Sequence, residues 1–244
     1  MYKFGLIGKH IEYSFSRTYF SNKFEKEALP HTYDNYDLED IDQFPDLIKN
    51  TPGLKGLNVT IPYKEVIIPY LDKLSKKASK IGAVNTIKIT KKGRLNGYNT
   101  DCYGFKKSFT PLLKSQHKQA LILGTGGASK AILYVLRQLK IDYAIVSRHA
   151  AENVDYTYNS ITEKIIKQYP VIINCTPLGT YPLIDECPDI PYNAITNNHL
   201  LYDLVYNPEL TKFLKMGRDH GAKIKNGLEM LELQALKSWS IWND

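Results

Sequence analysis

Apolar positions in the first hundred residues alternate between short continuous runs and longer stretches with helical spacing. Continuous runs bounded by turn residues predict strands, and apolar residues three and four apart predict helices. We therefore expect strands at residues 2–8, 32–38 and 55–60, and helices at 15–29, 41–49 and 71–80. Two alternating segments around Lys91, Lys92 and Gly93 predict a β-hairpin over residues 84–98. This order of elements is typical of an α/β domain.

The alternation begins again after residue 119, with strands predicted at residues 120–123, 143–146, 171–174, 200–203 and 222–225. A helix is predicted at 130–139, and another from Asn207-Pro208-Glu209, a favourable helix start, to Gly221. The last helix is expected from about Leu228, with Leu231, Ala235 and Trp239 on its apolar stripe. Strands joined through helices form parallel sheets, so we predict a second α/β domain after a boundary near residues 99–111.

The composition favours a small anionic ligand. The chain has 32 lysines and arginines against 25 acidic residues, a formal net charge of +7, but no basic run or nucleic-acid motif. No apolar run reaches about 18 residues, so no membrane span is predicted, and residues 1–8 resemble a buried strand more than a signal peptide. Cys102, Cys175 and Cys187 have no metal-ligand spacing and are odd in number. We therefore expect a soluble, cytoplasmic protein without a metal site.

A glycine-rich turn follows the strand predicted at 120–123 and precedes a helix; it consists of Gly124, Thr125, Gly126, Gly127, Ala128 and Ser129. In dinucleotide-binding folds the first glycine allows a tight turn, and the second lets the backbone approach the pyrophosphate. A small third residue, here Ser129, packs the helix on the strand. The helix N-terminus adds N–H groups and the positive end of a dipole. The turn predicts a nucleotide site, and the alternative is a purely structural turn.

The residues after the next strand indicate which nucleotide binds. NAD sites usually have an acidic residue there, about 20 residues after the glycines, that binds the ribose 2′-hydroxyl. This chain has Ser147, Arg148 and His149 instead. A guanidinium matches a 2′-phosphate in charge and in geometry, so the sequence favours NADP over NAD. The alternative for Arg148 is an ordinary surface arginine.

The order and spacing of several motifs resemble the shikimate dehydrogenase family along nearly the whole chain. The resemblance implies NADPH-dependent reduction of 3-dehydroshikimate to shikimate, with an active site in a cleft between two domains. It assigns residues 1–100 and the last helix, 227–244, to an α/β substrate domain. Residues 101–226 would form a Rossmann-like, parallel-sheet NADP domain. The matching segments are Ser14-Phe15-Ser16, Asn58-Val59-Thr60-Ile61-Pro62-Tyr63-Lys64-Glu65, Gly82-Ala83-Val84-Asn85-Thr86, Asn99-Thr100-Asp101, Gly124-Thr125-Gly126-Gly127-Ala128, Ile173-Asn174-Cys175-Thr176-Pro177, Tyr202-Asp203-Leu204-Val205-Tyr206-Asn207-Pro208 and Gly227-Leu228-Glu229-Met230 with Gln234.

The resemblance also implies the chemistry of individual residues. Hydride transfer to a ketone develops an alkoxide, which needs a proton donor or cation. Lys64 and Asp101 are the implied acid–base pair, although by spacing alone Lys64 suits a surface lysine and Asp101 a helix cap. The residues implied to bind the substrate are Ser14, Ser16 and Tyr206 for its carboxylate, and Thr60, Asn85, Asp101 and Gln234 for its hydroxyls. The residues implied to bind NADP are Gly124, Thr125, Gly126, Gly127, Ala128, Ser147, Arg148, Leu204 and Gly227.

Some positions depart from the family pattern. Arg17 replaces a usual proline, Cys102 a common glycine and Glu229 a glycine near the expected nicotinamide. No second arginine or lysine follows Arg148 before Lys164, which weakens the expected 2′-phosphate clamp. Two alternatives remain: an NAD-linked quinate or dual shikimate/quinate dehydrogenase, and a non-catalytic NADP(H)-binding sensor. We expect no nucleic-acid or membrane partner, and a monomer or homodimer.

Overall fold

The computed structural model describes residues 1–12 and 14–244. They form two compact units, one of Met1–Thr100 with Ala235–Asp244 and the other of Asp101–Gln234. Each unit contains a six-stranded sheet, with helices between its strands. The α/β class predicted from the sequence is therefore confirmed. No helix in the described part of the chain is long and apolar enough to cross a membrane.

The first unit combines parallel and antiparallel strands. Its sheet has the order β2-β1-β3-β5-β6-β4, in which β1 is parallel to β2 and β3, while β5 is antiparallel to β3 and β6. The predicted hairpin is confirmed as β5 and β6. The elements are β1 (Lys3–Gly8), α1 (Phe15–Lys26), β2 (Thr32–Asp37), α2 (Phe44–Asn50), β3 (Leu54–Val59), β4 (Lys73–Leu74), α3 (Lys76–Ile81), β5 (Thr86–Ile89) and β6 (Leu95–Tyr98).

The helix predicted at residues 71–80 is wrong in its first half. Lys73 and Leu74 form β4, which pairs with Asn96 and Gly97 of β6. Helix α3 begins only after Ser75, whose side chain accepts a hydrogen bond from the Ala78 N–H. Strand pairing with a segment about twenty residues away therefore overrides the local helical spacing.

The second unit has a fully parallel sheet with the strand order β12-β11-β10-β7-β8-β9. The chain passes from β7 to β8 on one side and later returns to β10 on the other, so the order reverses beside β7. Ligands of such sheets bind at this switch point, outside the carboxyl ends of the strands. The elements are α4 (Asp101–Phe109), β7 (Gln119–Leu123), α5 (Gly127–Leu139), β8 (Asp142–Ser147), β9 (Tyr156–Thr157), α6 (Glu163–Gln168), β10 (Val171–Asn174), β11 (Leu200–Asp203), α7 (Lys212–Asp219) and β12 (Lys223–Lys225).

One prediction for the second unit is corrected. The helix expected to open at Asn207, Pro208 and Glu209 begins instead at Lys212, after Thr211. Thr211 is fully buried, and its hydroxyl accepts from the Leu214 N–H while donating to the Asp203 carboxylate. This buried cap outweighs the favourable local pattern at Asn207. Helix α4 begins directly after the division between the two units at Thr100 and Asp101, which falls in the stretch 99–111 where the boundary is predicted.

The last helix, α8 (Leu228–Asn243), begins where the sequence predicts. The compact units divide within it, between Gln234 and Ala235. Its predicted apolar stripe is confirmed for Ala235, which is fully buried, and for Trp239, which packs against the core, but not for Leu228, which is 36% exposed. The buried face also contains two polar residues, Gln234 and Ser238, which an apolar pattern cannot reveal. The buried residues are Met230, Gln234, Ala235, Ser238, Ile241 and Trp242.

Candidate active site

The two candidate serines lie at the start of α1. Ser14 is the helix N-cap, and its hydroxyl oxygen accepts from the Arg17 N–H at 3.4 Å. A proline at position 17 would have no N–H to donate, so the departure at Arg17 permits this cap. Ser16 is buried near Tyr33: burial raises the pKa of the Tyr33 hydroxyl well above its ordinary value, and a hydrogen bond with Ser16 works against that shift.

Thr60 and Lys64 follow the end of β3. The Thr60 N–H donates to the Ile7 carbonyl at 2.9 Å, which ties this segment to the neighbouring strand β1. Lys64 is half-buried in a turn, and its carbonyl accepts from the Val84 N–H at 2.7 Å. The backbone at Lys64 is therefore fixed against the chain segment that leads to Asn85.

Asn85 is held by its amide oxygen. The Oδ1 atom accepts from the Thr100 N–H at 2.7 Å and from the Thr100 hydroxyl at 3.1 Å. The Thr86 hydroxyl also donates to it, at 3.1 Å. The amide oxygen of Asn85 is thus engaged in three hydrogen bonds within the first unit. This narrows the sequence interpretation, in which the amide could bond to a hydroxyl from both its donor and its acceptor side.

A buried polar cluster supports Asn85 and consists of Tyr33, Asn58, Thr86, Thr100 and Ser238. The Ser238 hydroxyl lies 2.8 Å from that of Thr86 and 3.1 Å from that of Thr100. Asn58 donates to Ser238 at 3.1 Å and accepts from Tyr33 at 2.8 Å. Sequence reasoning missed Ser238, although it stands one helical turn after Gln234, a spacing that puts both on one face of α8.

Asp101 and Gln234 lie on two helices that pack closely in the second unit. Asp101 is the first residue of α4, is only 6% exposed, and an acidic group suits that end of a helix. Three residues later, a Cβ on Gly104 would lie 2.3 Å from the Met230 carbonyl oxygen and 3.2 Å from the Gln234 Cβ. Gly104 therefore allows α4 to approach the part of α8 that carries the buried Gln234.

The glycine loop leaves the carboxyl end of β7 at the switch point of the sheet. Gly124 has φ +106°, a conformation that only glycine adopts readily, and its N–H donates to the Val146 carbonyl. A Cβ built on Gly126 meets nothing within 4 Å. Thr125 and Gly126 are exposed, Gly127 and Ala128 begin α5, and the buried Ser129 donates to the Gly126 carbonyl at 2.7 Å. The loop thus has the open backbone and the helix N-terminus that a pyrophosphate requires.

The segment after β11 is organised by a buried carboxylate, Asp203. Its Oδ1 accepts from Asn174 at 2.9 Å and from the Val205 N–H at 3.0 Å, and its Oδ2 accepts from Thr211 at 2.6 Å. Burial raises the pKa of Asp203 to about 6, although all three hydrogen bonds oppose the shift. Asp203 stands within one of the motifs that resemble the family, but no role for it is predicted from the sequence. The structure makes it the residue that joins the ends of β10 and β11 to the cap of α7.

Leu204, Tyr206 and Gly227 belong to this same region. The Leu204 N–H donates to the Asn174 carbonyl at 3.0 Å, and a Cβ on Gly227 would lie 2.2 Å from the Leu204 carbonyl oxygen. Tyr206 is half-buried, and burial raises the pKa of its hydroxyl. The structure therefore brings Leu204 and Gly227 into direct backbone contact, beside the residues that Asp203 organises.

Of the remaining residues, Ser147 ends β8 and the exposed Arg148 follows it. Two positions that differ from the family pattern are also described. Glu229 forms an ion pair with Lys225 at 2.5 Å, and Cys102 is buried in α4. Lys64 belongs to the first compact unit, and Asp101 is the first residue of the second.

Known proteins match this chain over nearly its full length. The family model of the shikimate dehydrogenase substrate binding domain matches residues 6–87. A shikimate dehydrogenase (NADP(+)) from Clostridium botulinum is 40% identical over 252 residues, which cover 99% of this chain and 96% of that protein.

Solved structures match as well. A shikimate 5-dehydrogenase from Thermus thermophilus in complex with NADP(H) and shikimate has a TM-score of 0.87 at 27% identity, with 99% of this chain and 93% of that one covered. A quinate dehydrogenase from Corynebacterium glutamicum in complex with NAD has a TM-score of 0.86 at 25% identity, with the same coverage. The full-length identity to the Clostridium botulinum enzyme, together with the matching substrate-domain model, shows that this chain belongs to the shikimate dehydrogenase family.

Proposed function

We propose that this protein catalyses the NADPH-dependent, reversible reduction of 3-dehydroshikimate to shikimate, a step of aromatic amino-acid biosynthesis. The observation that carries the proposal is the 40% identity, over 99% of the chain, to a shikimate dehydrogenase (NADP(+)). The open glycine loop at the switch point of the parallel sheet supports it independently, because it fits the pyrophosphate of a dinucleotide. The net charge of +7 suits two anionic ligands, a phosphorylated cofactor and a carboxylate substrate.

The cofactor, when bound, supplies the hydride. The backbone of Gly124, Thr125, Gly126, Gly127 and Ala128 binds its pyrophosphate, and Ser147 and Arg148 bind the 2′-phosphate. Leu204 and Gly227 would lie at the nicotinamide end. Their close backbone contact leaves no room for a larger residue at position 227. Residues 101–226 would form the cofactor domain, and residues 1–100 with the last helix, 227–244, the substrate domain. Residues 227–234 of that helix belong to the same compact unit as residues 101–226. That the two domains share one active site stays a prediction.

Lys64 and Asp101 form the acid–base pair. As the substrate ketone is reduced, its oxygen becomes negatively charged, and the Lys64 ammonium group stabilises that charge and donates a proton. In the reverse direction the pair accepts the proton of the substrate hydroxyl. We treat the two residues as one coupled pair, because protons of interacting groups belong to both.

The substrate is held by two sets of residues. Hydroxyl groups of Ser14, Ser16 and Tyr206 bind the carboxylate, while Thr60, Asn85, Asp101 and Gln234 bind the ring hydroxyls. The engaged Oδ1 of Asn85 supports a donor role for its amide nitrogen. We further propose that the enzyme is cytoplasmic and acts as a monomer or homodimer.

A coupled spectrophotometric assay tests the function. Purified protein with shikimate and NADP should produce NADPH, whereas quinate and NAD should each give a much lower kcat/KM. Preference for quinate with NAD would favour an NAD-linked quinate or dual shikimate/quinate dehydrogenase. A known quinate dehydrogenase shares the fold of this chain. Protein that binds NADPH but turns over neither acid would be a sensor. The absence of an acidic residue at Ser147, Arg148 and His149 argues against NAD.

A further inference from the structure

Tyr158 lies next to Arg148 at the carboxyl edge of the parallel sheet. Strands β8 and β9 are parallel, with Val146 opposite Tyr156 and Ser147 opposite Thr157. Arg148 and Tyr158 are the residues that directly follow the last of these pairs. Because neighbouring strands are about 4.8 Å apart, the two residues leave the sheet side by side, at the edge where the cofactor phosphates are expected.

The Tyr158 hydroxyl is buried without a hydrogen-bond partner among the residues that the structure describes. Its ring packs against the apolar core of the second unit. Other buried tyrosines in this unit have partners: the Tyr192 hydroxyl donates to the Pro188 carbonyl at 2.8 Å, and that of Tyr202 lies 2.7 Å from Ser108. A buried hydroxyl without a partner costs about 1–3 kcal/mol, and phenylalanine would fill the same space without that cost. This hydroxyl therefore suits a ligand group.

The hydroxyl is a proton donor at neutral pH. The pKa of Tyr158 is raised to about 12, mainly by burial and to a smaller extent by the neighbouring Cys175, while the positive charge of Arg148 works against this shift. The electrostatic influence of Arg148 agrees with the position that the strand register gives it. A neutral O–H beside a guanidinium is complementary to a phosphate, which offers three acceptor oxygens.

We propose that the Tyr158 hydroxyl donates a hydrogen bond to the cofactor 2′-phosphate that Arg148 binds, and so is a residue that determines specificity for NADP. The inference rests on the proposed function. The Arg148 side chain itself is exposed, so a phosphate can reach its guanidinium group from solvent. A second donor is needed because no lysine or arginine occurs between Arg148 and Lys164.

The test compares Tyr158→Phe with wild-type protein in fluorescence titrations with NADPH and with NADH. A hydrogen bond to a charged group contributes about 1.5–3 kcal/mol, so the Kd for NADPH should rise about tenfold or more. The Kd for NADH should change less than about twofold, because NADH has no 2′-phosphate. Tyr156→Phe, the same substitution two residues earlier in β9, is the matched control and should leave both constants unchanged.

An unchanged ratio of the two constants in Tyr158→Phe would overturn the proposal, whatever the effect on stability. Loss of the partnerless hydroxyl is expected to stabilise the unliganded protein in any case. Because the titration needs no turnover, it separates this proposal from the function. Wild-type protein that binds NADPH selectively but does not oxidise shikimate overturns only the function, whereas wild-type protein without preference for NADPH overturns both.

Discussion

Lys64 is the side chain whose proposed role is simplest to isolate. Lys64→Ala should lower kcat by about 10²–10⁴, the usual contribution of a positioned acid–base group. The Kd for NADPH should stay within about twofold, because the proposed cofactor site lies in the second unit and Lys64 in the first. Steady-state kinetics and a fluorescence titration measure the two effects.

Lys77→Ala, an exposed position of α3, is the matched control and should keep wild-type turnover. If Lys64→Ala also keeps wild-type turnover, the assignment of Lys64 as the acid–base group is wrong.

The raised pKa of Asp203 should make the stability of the protein depend on pH. Its pKa in the folded protein, about 6, lies above the ordinary 3.8, so the folded state binds its proton more tightly than the unfolded state. The resulting stabilisation is present below pH 3.8 and is lost as the pH rises through 6. In Asp203→Asn this titration is absent. The stability of wild type relative to the variant should therefore fall by up to about 3 kcal/mol over that interval.

Urea unfolding of both proteins across this pH interval measures the difference, since the titrations of all other groups largely cancel in it. A difference that is independent of pH would show that the pKa of Asp203 is the same in the folded and the unfolded protein. Both proteins should retain a cooperative transition, because an asparagine amide can keep the bonds to Asn174 and the Val205 N–H.

Two glycines of the second unit have different expected roles: Gly126 in the glycine loop leaves room for the ligand, and Gly104 in α4 allows close helix packing. Gly126 has φ −69° and ψ 172°, which alanine adopts without strain, and its Cβ direction is open. The urea concentration at the midpoint of unfolding should therefore be the same for Gly126→Ala and wild type. Its Kd for NADPH should rise about tenfold or more, because the methyl group occupies the approach of the pyrophosphate.

Gly104→Ala provides the contrast within the same unit. Its Cβ would lie 2.3 Å from the Met230 carbonyl oxygen, where α4 meets α8. The free energy of unfolding of this variant should therefore be about 1–3 kcal/mol lower than that of wild type. Unchanged NADPH affinity in Gly126→Ala would mean that the loop is a structural turn. Equal stability of Gly104→Ala and wild type would mean that the two helices can move apart.

Element boundaries show where local patterns are sufficient. The strands at Val171–Asn174 and Leu200–Asp203 agree with prediction to the residue, because continuous apolar runs in a buried parallel sheet are visible in the sequence. The start of α7 after its cap Thr211 and the strand at Lys73–Leu74 are not visible in this way. Both depend on partners elsewhere: the buried carboxylate of Asp203 in one case and the edge of β6 in the other.

Across the whole molecule, the last ten residues complete the core of the first unit. Trp242 is fully buried, its indole N–H donates to the Ile87 carbonyl at 2.9 Å, and its ring lies 4.9 Å from that of Phe4. Trp242→Ala should destabilise the protein by about 3–5 kcal/mol, the cost of removing a buried aromatic side chain.

Leu236→Ala, at a 46% exposed position of the same helix, is the control and should change stability by less than about 0.5 kcal/mol. Urea unfolding followed by circular dichroism measures both. A small effect of Trp242→Ala would mean that the first unit is stable without the end of α8.

The sequence by itself determined the α/β class, most strands of both sheets, the glycine loop and the family. These depend on local hydrophobic patterns and on motifs whose order is visible along the chain. It also named the candidate site residues, whose roles stay predictions.

Only the tertiary structure decided which polar residues are buried and what holds them. Ser238 meets the Thr86 hydroxyl 152 positions earlier, Asp203 collects donors from three segments, and the Tyr158 hydroxyl is buried beside Arg148. Burial and hydrogen-bond partners come from residues far apart in the chain, so no local pattern contains them. A buried polar group without a partner costs free energy. Such a group therefore indicates where a ligand could bind.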